Sequence, residues 1–213
     1  MGTLSRLLVS VSVGLAGALV PLAPLHGQGL RTIGGFAGRT DSWQSWPDHP
    51  EARHKAGLEV GAFLDADAPP SWLSILAEVA YTQRGARLPL TLNGDVMGDV
   101  RADYIVGSVM PKVGFSVGPL SLYAYGGPGL GINVRTRTAQ ELSIAYQDYK
   151  AEVLTAQAGA GVALRIAGRW SVRAEMRRSA DLTPAYSKAP GEIRFRSQEI
   201  ILRIGVRPRL PLP

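Results

Sequence analysis

Apolar residues recur at every second position over long stretches of this chain, and that alternation restricts its fold more than any other feature. In KAGLEVGAFL (55–64), Ala56, Leu58, Val60, Ala62 and Leu64 share one face. Lys55, Gly57, Glu59, Gly61 and Phe63 share the other. Side chains two residues apart lie on the same side of a strand, whereas a helix needs apolar steps of three and four. The pattern returns in WLSILAEVAYTQ (72–83), EVLTAQAGAGVALRI (152–166), WSVRAEMRRS (170–179) and RSQEIILRIGVR (196–207). Three looser segments are LRTIGGFAGR from Leu30, RADYIVGSVMPKVGF (101–115) and LSLYAYGGPGLGINV (120–134). They bring the predicted count to eight strands. Pro111 has no N–H to donate, so a bulge or a missing ladder bond is expected in its strand.

The predicted connections alternate in length. Long ones fall at 40–54, 84–100, 135–150 and 180–194, and short ones at 65–71, 116–119 and 167–169. Long loops at one end and tight turns at the other are the pattern of an up-and-down barrel in an outer membrane. Most of the segments reach the ~9–11 residues that a tilted strand needs to span a bilayer. The expected fold is therefore all-β: an eight-stranded antiparallel up-and-down transmembrane β-barrel with both termini at the short-turn end.

In such a barrel the apolar face meets lipid and the polar face points inward. That places Glu59, Glu78 and Glu175 in the lumen with Arg165, Arg173, Arg177 and Arg203. Carboxylates and guanidiniums can satisfy one another there, and eight strands leave just enough room for side chains to fill the interior. A plugged lumen held by an ion-pair network is predicted, with an ion or proton path as the other reading. Trp72 and Trp170 each begin a strand beside a short turn and are expected in an aromatic girdle at the membrane–water interface.

The N-terminus, MGTLSRLLVSVSVGLAGALVPLAPLHGQG, has one cation, an uncharged apolar run and small residues at its end. It reads as a secretory signal peptide over 1–27, cleaved after Gly27. Pro21 and Pro24 argue against a retained membrane helix. The barrel is expected over 28–207, followed by a Pro-rich tail at 208–213. The chain has no cysteine and a formal charge of +6. Its charges lie singly at alternate positions rather than in blocks, which speaks for strand faces and against nucleic-acid binding.

The glycine-rich GGPGLG (126–131) looks at first like a phosphate cradle. No Gly-Lys-Ser/Thr follows it, and a strand runs through the glycines instead of ending before them. Read as a strand, it turns Gly127, Gly129 and Gly131 into the lumen, where they are expected to give clearance to the interior arginines. His49 and His54 lie near Asp48 and Glu51 in the first long loop, but a metal would need a further ligand. The same loop offers Ser42 and Ser45 for an imitation of a Ser–His–acid triad, which only geometry can establish. No catalytic residue, cofactor or metal site is assigned.

The chain resembles the PorT-like outer-membrane β-barrel proteins of Gram-negative bacteria. The resemblance is carried by LAEVAYTQRGARL (76–88), through Glu78, Tyr81 and Gly85, and by LSLYAYGGPGLGINV (120–134), through Gly127 and Pro128. It continues through AGAGVALRIAGRWSVRAEMRRSADLTPAY (158–186). Departures are the spacing from Tyr104 to Pro111 and the ending RPRLPLP in place of an aromatic residue. The resemblance implies fold and location and no enzymatic activity. The expectation is a monomer in the cell outer membrane that acts through its outside loops or an envelope protein partner. Its partners would be outer-membrane lipid and, during biogenesis, the barrel-assembly machinery. The alternatives are a narrow channel for ions or small solutes, and a soluble periplasmic lipocalin-like barrel binding an apolar ligand.

Overall fold

The computed structural model describes residues 30–45, 52–89, 97–139, 150–166, 168–186 and 192–208. The expected signal peptide lies outside them, as do His49, Asp48 and Glu51 and all of the expected tail after Pro208.

The described residues form eight strands and no helix: β1 (Leu30–Ser45), β2 (Lys55–Ala68), β3 (Leu73–Pro89), β4 (Met97–Val117), β5 (Leu120–Thr138), β6 (Glu152–Ile166), β7 (Trp170–Asp181) and β8 (Arg194–Val206). Each pairs antiparallel with its neighbour in sequence, and β1 pairs with β8 from Ile33↔Val206 to Ser45↔Arg194. That last pairing closes the barrel and leaves no free edge. The chain enters β1 and leaves β8 at the end that carries the three tight turns. Two of those turns are set by Gly118 and Gly168, whose φ values of 60° and 69° strain any residue with a Cβ.

Two expectations change and a third is resolved. The strands run farther into the long connections than alternation alone indicated, because β3 continues to Pro89 and β5 to Thr138. Alternation weakens there, and cross-strand pairing carries the backbone on. Asp65 was expected in a turn, yet β2 runs on to Ala68. Of the two outcomes expected at Pro111, the missing ladder bond is found; the register shift between β4 and β5 falls between Asp103 and Tyr104 instead. The β4–β5 pairing opens over Val109–Pro111 and Gly126–Pro128, with Pro111 opposite Gly126 and Pro128 opposite Val109, and resumes at Lys112↔Tyr125 without changing register. Neither imide nitrogen can donate, so the ladder breaks locally and the register survives.

The faces divide as the alternation requires. Leu58, Val60, Val79, Val162, Ile200, Leu202 and Ile204 are exposed on the outer surface. Glu59, Glu78, Arg173, Glu175, Arg177, Glu199 and Arg203 are buried inside. A soluble lipocalin-like barrel needs the opposite arrangement, and this structure does not have it.

Candidate functional site: the barrel lumen and its two mouths

At the loop end, an apolar cap built from β3, β4, β6 and β8 closes the lumen. Val100, Tyr104, Val106, Val153 and Phe195 pack there with Tyr186 and Ile193. Tyr186 and Ile193 pair with each other as an isolated antiparallel bridge, and both are fully buried. Burial pushes the Tyr186 phenol up to about 12. Beneath the cap, Arg84 Nη1 donates to Asp181 Oδ1 at 2.8 Å, and the Phe195 N–H donates to Asp181 Oδ2 at 2.9 Å.

The middle of the lumen is ionic. Arg177, 3% exposed, is clasped by Glu59 and Glu78 and reaches Glu199 Oε2 through Nε at 3.3 Å. Arg203 is fully buried and lies 2.8 Å from both Glu78 and Glu175. Arg203 thus offsets two buried carboxylates with one guanidinium. Its guanidinium also stacks over Phe36, 4.4 Å from the ring centroid. Tyr123 and Tyr125 donate to the two oxygens of Glu175 at 2.6 and 2.7 Å. Ser179 and Ser197 both donate to Glu199. Arg177 on β7 meets Glu59 on β2 and Glu78 on β3 only because the sheet closes.

Nearer the turns, Asp65 is bridged by Lys112 and by Arg173, the latter at 2.9 Å. Beyond them the lumen opens into a cavity of about 330 Å³ at the turn-end mouth. Arg165 belongs here and not in the buried network. It sits at the exposed end of β6, lines the mouth, and has no carboxylate partner among the described residues. The inward side of β6 reaches the end of the barrel before it reaches Arg165.

Glu59, Glu78, Glu175, Arg173, Arg177 and Arg203 are brought inside together. Sequence reasoning overlooked Asp65, Arg84, Lys112 and Asp181, and did not single out Glu199. Asp65 keeps step with Glu59 and Phe63, and Asp181 with Arg177, so carrying the alternation two residues farther finds both. Trp72 and Trp170 stand at the turn-end rim, 57% and 52% exposed.

The glycines of β5 have a different reason from the one expected. A Cβ on Gly129 would lie 2.7 Å from Thr155 Oγ1 and 2.8 Å from Gln157 Nε2. One on Gly127 would lie 2.7 Å from the Val109 carbonyl oxygen, and one on Gly131 would touch the Tyr104 ring at 3.4 Å. They admit β6 side chains and the β4 backbone, not arginines. The glycines that serve the charge network are on β6: a Cβ on Gly159 would strike the Tyr125 ring, and one on Gly161 the Glu175 side chain.

At the outer rim His54 pairs with Asp41 at 3.2 Å and stacks on Trp43. Ser42, next to Asp41 but on the opposite face, points inward and donates to the Gly85 carbonyl at 3.0 Å. Ser42 and His54 are therefore not arranged as a nucleophile and its base.

No protein-family model matches this sequence, and no curated protein matches it. Solved structures do. Neisserial surface protein A superposes with a TM-score of 0.50 at 11% identity, covering 82% of this chain and 96% of that one. The outer membrane protein OprG from Pseudomonas aeruginosa superposes with a TM-score of 0.50 at 10% identity, covering 84% and 96%. At these identities the likeness is one of fold: a closed eight-stranded barrel.

Proposed function

We propose that the chain is a small outer-membrane β-barrel with a side-chain-filled lumen, acting through its long loops or an envelope partner and not as a conduit. The carrying observation is the filled interior: an apolar cap at the loop end above the ion cluster centred on Arg177 and Arg203. The outward belt of Leu, Ile and Val supports the bilayer as its surroundings, since contiguous apolar surface of this extent is a liability in water. The same reading takes 1–27 as a signal peptide, Trp72 and Trp170 as interface anchors, and the barrel-assembly machinery as the route of insertion. Membership in the PorT-like family belongs to this proposal and rests on the strand motifs around Glu78, Gly127 and Pro128.

Planar-bilayer recording of the refolded chain tests it. The filled lumen gives no steady unitary conductance in the native chain, whereas Glu78→Ala opens gaps in the ion cluster and gives intermittent leak. Steady openings in the native protein would favour the narrow channel. A chain that stays freely soluble, with no shift in gel mobility on heating, would remove the membrane placement altogether.

A further inference from the structure

The turn-end cavity is unlike the rest of the lumen in its charge. Six cations line it, Arg31, Lys112, Arg165, Arg169, Arg173 and Arg207, against one carboxylate, Asp65. Asp65 is already shared by Lys112 and Arg173. Arg31 has Asp67 at 3.5 Å. Arg165, Arg169 and Arg207 have no carboxylate partner among the described residues. Deeper in, Arg173 is only 4% exposed, yet its Nε has no acceptor. Ser171 Oγ, also in the lining, is buried and unpartnered. A buried guanidinium N–H and a buried hydroxyl left without acceptors are costly unless something completes them.

The backbone under these side chains is fixed. The Arg207 N–H donates to the Arg169 carbonyl at 2.9 Å, and the Arg165 N–H to the Pro119 carbonyl at 2.9 Å. Two neighbouring turns and the end of β8 thus hold three arginines around one opening. Excess donors, excess positive charge and restricted geometry call for an anion with several oxygens, and guanidinium forks match phosphate best.

We propose that the turn-end cavity binds a phosphate-bearing anion, with Arg165, Arg169 and Arg207 at the mouth and Ser171 and Arg173 at the base. Trp72 and Trp170 flank the opening, at the height where headgroups would lie. The phosphate can therefore come from a soluble phosphate ester or from a phosphoglyceride of the adjoining leaflet. That the opening faces the periplasm rests on the proposed membrane topology; the chemistry of the cavity does not.

The test uses the full chain in two arms. In detergent, inorganic phosphate and pyrophosphate are titrated by calorimetry. In nanodiscs of phosphatidylcholine with or without phosphatidylglycerol, native mass spectrometry counts retained phosphatidylglycerol. One saturable site is expected in at least one arm. The double variant Arg169→Gln/Arg207→Gln should weaken it by about tenfold or more, the equivalent of losing at least one charge-assisted hydrogen bond. Ser171→Ala, which keeps every charge, should weaken it less, and Arg87→Gln at the far end should leave it unchanged. Binding in the detergent arm identifies a soluble phosphate; retention of phosphatidylglycerol alone identifies the headgroup. Absence of binding in both arms by protein with heat-modifiable mobility overturns the site, as does equal binding by the double variant. Flotation with liposomes reports the membrane placement separately. A chain that binds pyrophosphate but does not float keeps the site and loses the topology.

Discussion

Single residues in this barrel matter through what faces them across the lumen. Arg177 holds three carboxyl groups at once. Replacing it with Met keeps much of the volume but leaves Glu59, Glu78 and Glu199 buried without a counter-charge. Loss of one partner from a buried pair typically costs about 3–5 kcal/mol. Arg177→Met is therefore expected to lower the urea midpoint of the folded chain in lipid or detergent by a corresponding amount, read from tryptophan fluorescence. Gly129 acts by absence. Gly129→Arg would drive a long side chain into Thr155 and Gln157, and the expected outcome is loss of the compact, heat-modifiable gel species. Retention of that species at native levels would show that the lumen yields more than its close packing allows.

At the scale of the strand, each element has two solvents. β8 shows the division most cleanly, with Ile200, Leu202 and Ile204 outward and Glu199, Ile201 and Arg203 inward. The outward face separates a membrane barrel from a water-soluble one. Leu202 is 61% exposed, so in water Leu202→Arg would change folding stability little. In a bilayer, an arginine facing lipid near the midplane costs about 2–4 kcal/mol. The expected result is a lowered midpoint in liposomes, measured by equilibrium unfolding, and a much smaller change in detergent micelles that adapt around the charge. β4 and β5 show how an element tolerates imperfection. Their ladder opens at Pro111 and Pro128, and pairings on both sides keep the register.

Among the described residues, the barrel as a whole is capped at one end and open at the other. The apolar cap, the ionic middle and the cation-lined mouth stack along a single axis. This asymmetry connects the expected silence in bilayer recordings with the expected phosphate binding. The first depends on the cap and the middle, the second on the mouth, and neither result constrains the other.

The strand count, the direction of each face and the presence of charges inside were legible in the sequence, because alternation records which side of a strand meets which medium. Glu59, Glu78, Arg173 and Arg203 follow from that record alone. Two things were beyond it. Where strands end was one, since cross-strand hydrogen bonding extends a strand regardless of side-chain pattern; Arg84, Asp65 and Asp181 keep the inward parity, but only the longer strands place them inside. Depth was also invisible: parity placed Arg165 and Arg177 equally inward, yet one is exposed at the mouth and the other sits in the ionic middle. The stagger between strands fixes height in the tube, and that stagger is a property of the closed sheet. A two-residue period in the chain settles inside and outside. Which charges meet, which glycine clears which neighbour and where cations without a carboxylate collect depend on the folded barrel, because register between strands far apart in the chain sets them.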